Sequence, residues 1–167
     1  DFGSYKTYFL PDSILEAGGY KSSYWKDENA QAIIAQVEAN MEARGYTRET
    51  DASKKDEVDL GVQVSYVAQT NYVTTGSYYG GWWFWGPWWG GWYYPFTMTY
   101  SYNTNTLVVE MLDLTGKGTE GEQKANIPVI WYANASGFQY SGRYNQSLLL
   151  KAVDQAFEQS AYVQSDN

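Results

Sequence analysis

Val58-Asp59-Leu60-Gly61-Val62-Gln63-Val64-Ser65-Tyr66 alternates without interruption: Val58, Leu60, Val62, Val64 and Tyr66 share one side, Asp59, Gly61, Gln63 and Ser65 the other. A period of two predicts a strand, with the valine side in a core and the polar side toward water, as in a half-buried antiparallel sheet. An extension of the strand through Tyr72 to Thr75 is expected. Farther along, Thr97 to Leu114 also favours strand, but its apolar parity moves from Met98, Tyr100 and Tyr102 to Leu107, Val109 and Met111. A bulge or break near Asn103 to Asn105 reconciles the two phases.

On either side the period changes. Ala30, Ile33, Ile34, Val37 and Met41 recur at helical spacing, with Asp27 placed to cap the start and Gly45 just past the end, which predicts a helix over 27–44. Leu148, Leu149, Ala152, Val153, Ala156 and Phe157 form a second helical stripe, with Asn145 as its cap. Phe2 to Leu10 reads as a first strand stopped by Pro11, followed by a loop over Asp12 to Lys26. Tyr46 to Glu49 is a short strand, Thr50 to Glu57 a loop, Gly116 to Lys124 a polar turn, and Ile127 to Ala133 the last strand. The order β-α-β-β-β-β-α predicts an α+β fold: an antiparallel sheet of four to five strands with two helices on one face, all within a single domain over 1–167.

Composition narrows the function classes. The chain has 167 residues, of which 44% are hydrophobic and 19% aromatic, enough apolar surface for one real core. Its net charge is −8, and its 11 basic residues are scattered, so no nucleic acid partner and no basic membrane-binding patch are expected. Without any cysteine or histidine, the common metal ligands and activated nucleophile pairs are missing, and no cofactor, metal or enzymatic activity is expected. Glu110 and Asp113 are the nearest thing to a catalytic carboxylate pair, but positions three apart on a strand face opposite ways. Asp56, Glu57 and Asp59 lack the glycine-punctuated spacing of a calcium loop.

The feature that composition cannot dismiss is Tyr78 to Phe96, YYGGWWFWGPWWGGWYYPF, in which every residue is aromatic, glycine or proline. No charged residue stands anywhere from Leu60 to Val109. Twelve aromatic side chains, each able to bury ~150–250 Å², far exceed the ~300–600 Å² of the largest exposed patch on an ordinary monomer. Gly80-Gly81, Gly86-Pro87 and Gly90-Gly91 forbid a regular helix and predict a hairpin tip or compact loop. Three readings follow. The rings cover their own sheet; or they meet a protein partner, a second copy or the membrane interface; or selected tryptophans form a stacking platform for a glycan. The expected interaction surface is Trp82, Trp83, Trp85, Trp88, Trp89, Trp92, Tyr93 and Tyr94.

Three stretches together resemble the bacterial lipoprotein family known as domain of unknown function 4136. They are Asp1-Phe2-Gly3-Ser4-Tyr5-Lys6-Thr7-Tyr8, Asp59-Leu60-Gly61-Val62-Gln63-Val64-Ser65-Tyr66 and Thr106-Leu107-Val108-Val109-Glu110-Met111-Leu112-Asp113. The resemblance implies a signal peptide and lipid-anchored cysteine upstream, and a domain in the cell envelope facing the periplasm or outer surface. It brings no activity and no catalytic residues.

Overall fold

The structure, a computed structural model of the chain, describes residues 1–17, 23–55, 57–67, 106–115, 129–135 and 146–166. The strands and α-helices in chain order are β1 (Thr7–Phe9), β2 (Ile14–Ala17), β3 (Ser23–Trp25), α1 (Glu28–Ala43), β4 (Thr47–Glu49), β5 (Leu60–Val67), β6 (Thr106–Asp113), β7 (Val129–Ala135) and α2 (Gln146–Glu158); short 3-10 helices stand at Phe2–Ser4, where a strand from Phe2 was predicted, and at Ala52–Lys54, and Asp1 and Asp51 cap them through their side chains. They make an α+β fold in which one sheet carries all seven strands.

The alternating stretch becomes β5, the centre of the sheet. On one side it pairs antiparallel with β6 along its whole length, from Leu60↔Asp113 to Val67↔Thr106, and β6 pairs antiparallel with β7. On the other side it is parallel to β1 through Tyr8↔Leu60 and Phe9↔Gly61, and parallel to β2 through Leu15↔Ser65, Glu16↔Tyr66 and Ala17↔Val67. The sheet is therefore mixed and has more strands than the antiparallel four or five expected. The two additional strands, β2 and β3, lie where a loop over Asp12 to Lys26 was predicted. The register explains it: Phe9 to Leu15 advances six positions while Gly61 to Ser65 advances four. Pro11, which has no amide donor, sits in the two-residue excess, so one line of pairing along β5 is split into two short strands.

Helix α1 begins where Asp27 Oδ1 accepts from the amides of Asn29 (2.9 Å) and Ala30 (3.0 Å). It ends in a left-handed cap: Gly45 has φ 85°, its amide donates to Glu42 O (3.0 Å), and the Tyr46 amide donates to Met41 O (3.1 Å). Tyr46 and Met41 are both buried, so the cap is also an apolar contact. The stripe Ala30, Ile33, Ile34, Val37 and Met41 packs with Leu149, Val153 and Phe157 of α2 against Leu60, Val62, Val64, Tyr66, Leu107, Val109, Met111 and Trp131 of the sheet. Leu148 departs from the predicted stripe and is 45% exposed, because Leu149, Val153 and Phe157 at four-residue steps already fill the line facing the sheet.

The second face of the central strands departs from expectation too. Gln63 and Ser65, predicted to face water, are buried, as are their sheet neighbours Phe9, Leu15, Thr106, Val108, Glu110 and Leu112. Both faces of the β5–β6 pair are thus withdrawn from solvent.

The chain ends are tied together. Asp166 N donates to Gly3 O (3.1 Å), Ser165 N to Arg44 O (2.9 Å) and Ser165 Oγ to Tyr5 O (2.7 Å), while Val163 is fully buried. Asp59 secures the other end of β5. Its Oδ2 accepts from the amides of Lys6 (2.8 Å) and Thr7 (3.1 Å) and from Thr7 Oγ1 (3.3 Å), and its own backbone bonds Thr7 Oγ1 and Leu114. Among the described residues no helix is long and apolar enough to cross a membrane.

Candidate functional site

All eight predicted surface residues, Trp82, Trp83, Trp85, Trp88, Trp89, Trp92, Tyr93 and Tyr94, lie outside the described residues, as does the strand extension over Tyr72 to Thr75. What is described is the pair of anchors on either side. Val67 ends β5, Thr106 begins β6, and the two are paired partners. The connection carrying the aromatic run therefore leaves and re-enters at the same end of the central strand pair, beside Tyr66 (2% exposed) and fully buried Thr106. Trp25 and Trp131, the two tryptophans elsewhere, are core residues. Trp25 packs edge-on against Tyr66 at 6.0 Å, and Trp131 lies 5.0 Å from the Phe157 ring.

One polar group near those anchors is unusual. Glu110 sits in the middle of β6, flanked on its own face by Val108 and Leu112 and opposite Gln63 on β5 and Tyr132 on β7. It is 2% exposed. Burial pushes its carboxyl up to about 8, so it is mainly protonated at neutral pH. Glu110 Oε2 and Gln63 Oε1 both lack a hydrogen-bond partner among the described residues, while Gln63 Nε2 donates to Ser65 Oγ (3.3 Å). Directly opposite residues on paired strands hold their Cβ atoms ~4.5–5.5 Å apart, so these two buried polar groups are neighbours on one face of the sheet. The clue in the sequence was parity: Val108-x-Glu110-x-Leu112 puts one carboxylate into an otherwise apolar row.

Asp113 belongs to the other face. It accepts from Tyr5 Oη (2.9 Å), Thr115 N (2.9 Å) and Thr115 Oγ1 (2.6 Å). Burial alone would raise its pKa, but these hydrogen bonds outweigh burial and hold it below the usual carboxylate value. Tyr5 is pushed up to about 12, by burial first and then by its bond to Asp113. Glu110 and Asp113 are thus separated by the sheet itself, as strand parity predicts, and cannot act on one bond together. Among the described residues no group of three or more metal-ligating side chains occurs. Asp59 is occupied in anchoring β1 to β5, and Asp56 lies outside the described residues.

The sequence profile of a family described as "Domain of unknown function (DUF4136)" matches residues 1–160. The chain belongs to the DUF4136 family. A solved relative agrees: the crystal structure of a DUF4136 family protein from Bacteroides thetaiotaomicron superposes with a TM-score of 0.73 at 36% sequence identity, over 98% of this chain and 91% of that one. No curated protein matches the sequence. Membership in DUF4136 accounts for the three strand motifs: the first opens the chain and enters β1, and the second and third are the paired strands β5 and β6.

Proposed function

We propose that this DUF4136 domain is a non-enzymatic module of a cell-envelope lipoprotein, and that Tyr78 to Phe96 is its contact surface for a protein partner, another copy or the outer-membrane interface. The observation that carries the reading is the uncharged run of twelve aromatic side chains, in a connection whose two ends are held as paired partners at Val67 and Thr106. Trp and Tyr are favoured in such contacts because a ring covers much area at little conformational cost and carries a polar edge. Export and lipid anchoring rest on the family resemblance of the strand motifs.

The test compares the intact chain with one in which Tyr78 to Phe96 is replaced by a short Gly-Ser linker, which the Val67–Thr106 pairing allows to close. Sedimentation velocity reads self-association, and flotation with phosphatidylethanolamine–phosphatidylglycerol vesicles reads the membrane interface. Loss of self-association or flotation in a shortened protein with unchanged circular dichroism is the expected result. A folded shortened protein that matches the intact chain in both measurements refutes the reading, and so does a glycan array on which only the intact chain binds.

A further inference from the structure

Beyond α2 the chain turns back and crosses the start of the fold. Ser160 N donates to Phe157 O (3.0 Å) and Val163 N to Ser160 O (2.9 Å), which closes a turn. From there residues 163–166 alternate as an extended segment does: Val163 and Ser165 are buried, Gln164 and Asp166 exposed. Their partners come from two separate places in the chain. Ser165 N donates to Arg44 O (2.9 Å) at the cap of α1, whereas Ser165 Oγ donates to Tyr5 O (2.7 Å) and Asp166 N to Gly3 O (3.1 Å). Residues 161–166 are therefore a strap seated in a groove, with Gly3 and Tyr5 on one wall and Arg44 on the other.

The groove is shaped for that segment. A Cβ on buried Gly3 would come within 2.2 Å of Asp166 Oδ2, so the missing side chain is the room in which the strap lies. Tyr46 Oη donates to Phe2 O (3.2 Å) and ties the two walls together. Little besides main chain holds the strap down. Ala161, Tyr162, Gln164 and Asp166 face water, and Tyr162, 65% exposed, meets the fold through the ring of Phe2 at 5.6 Å. Val163 is its one buried apolar side chain, and it belongs to the core cluster. Segments with few buried apolar contacts open without global unfolding. When this one lifts, the place of Val163 is left apolar and wet, and an identical strap refills it with the same contacts.

From this geometry we propose that the groove between Gly3 and Arg44 is an acceptor site for the strap of a second copy of this chain, residues 161–166 being its occupant within one molecule and its ligand between two. Opening the turn at Ser160 and Val163 frees the strap to cross over. Every contact of the single molecule re-forms in the exchanged pair, so the exchange is reciprocal and needs no new surface. The site is separate from the aromatic run and stands whether or not that run is a contact surface.

Two full-length variants separate the roles. Val163→Asp spoils the strap and leaves its own groove free, while Gly3→Leu blocks the groove and leaves its own strap free. In biolayer interferometry, immobilised Gly3→Leu should capture Val163→Asp at least tenfold more tightly than either variant captures itself, and a synthetic peptide of residues 161–166 should compete for that capture. Contact through Tyr78 to Phe96 binds all pairings alike; that result overturns the proposal, and so does the absence of capture between variants whose circular dichroism matches the parent. Where a variant does not fold, hydrogen exchange in the parent decides. The Ser165 and Asp166 amides should exchange at least tenfold faster than the Val37 amide in the middle of α1. Equal rates would mean that the strap opens only with the whole fold, and would overturn the proposal.

Discussion

Replacing Glu110 by Gln removes the proton equilibrium of the buried carboxyl while keeping its shape. In the unfolded chain this group titrates near 4.5, whereas in the folded protein burial raises it to about 8. A raised folded value means that the folded state binds the proton more tightly, so its contribution to stability is complete below pH 4.5 and falls as pH rises toward 8. Each pH unit in that window costs ~1.4 kcal/mol, so the parent loses about 3 kcal/mol between pH 4.5 and 7, and about 5 kcal/mol once pH exceeds 8. Glu110→Gln has no such loss. Urea unfolding of parent and variant at half-unit steps from pH 4.5 to 9 isolates this group, because other titrations cancel in the difference. The variant should match the parent near pH 4.5 and exceed it by about 3 kcal/mol at pH 7. Stability curves that stay parallel across the window would show that Glu110 ionises in the folded protein as freely as in water, and would refute the reasoning.

Two further substitutions test the fold. Leu149→Ala should cost ~2–5 kcal/mol as a buried truncation, whereas Leu148→Ala should stay within about 0.5 kcal/mol; thermal unfolding separates them, and equal losses would mean that the helix is rotated. Asp59→Ala strips the Lys6 and Thr7 amides of their acceptor and should lower stability by ~1–3 kcal/mol, while Asp59→Asn, which retains one oxygen, should recover most of it in the same urea assay.

Glu110 and Asp59 also mark how far the chain could be read without its fold. Parity puts Asp59 on a polar face, but its use is to accept from residues about fifty positions earlier, a contact that local pattern cannot reveal. Strand parity puts Glu110 and Asp113 on opposite faces, which the structure bears out. The apolar row of Val108 and Leu112 hints at the burial of Glu110, but Gln63 and Ser65 on the facing strand β5 have the look of residues meant for water.

What the sequence determined by itself is local and periodic. The alternation of Val58 to Tyr66 made β5, the stripe from Ala30 to Met41 with Asp27 and Gly45 made α1, and the pattern from Leu149 to Phe157 made α2, each because a period of 2 or 3.6 leaves one apolar side that must be buried. The motifs at the chain start and in β5 and β6 were enough to indicate the family. Only the tertiary structure decided that β1 and β2 share one edge of β5 in parallel, and that both faces of the β5–β6 pair are withdrawn from solvent. Those outcomes depend on pairings between residues far apart in the chain, where hydrogen-bond register and the space left between side chains, rather than any local preference, choose the arrangement.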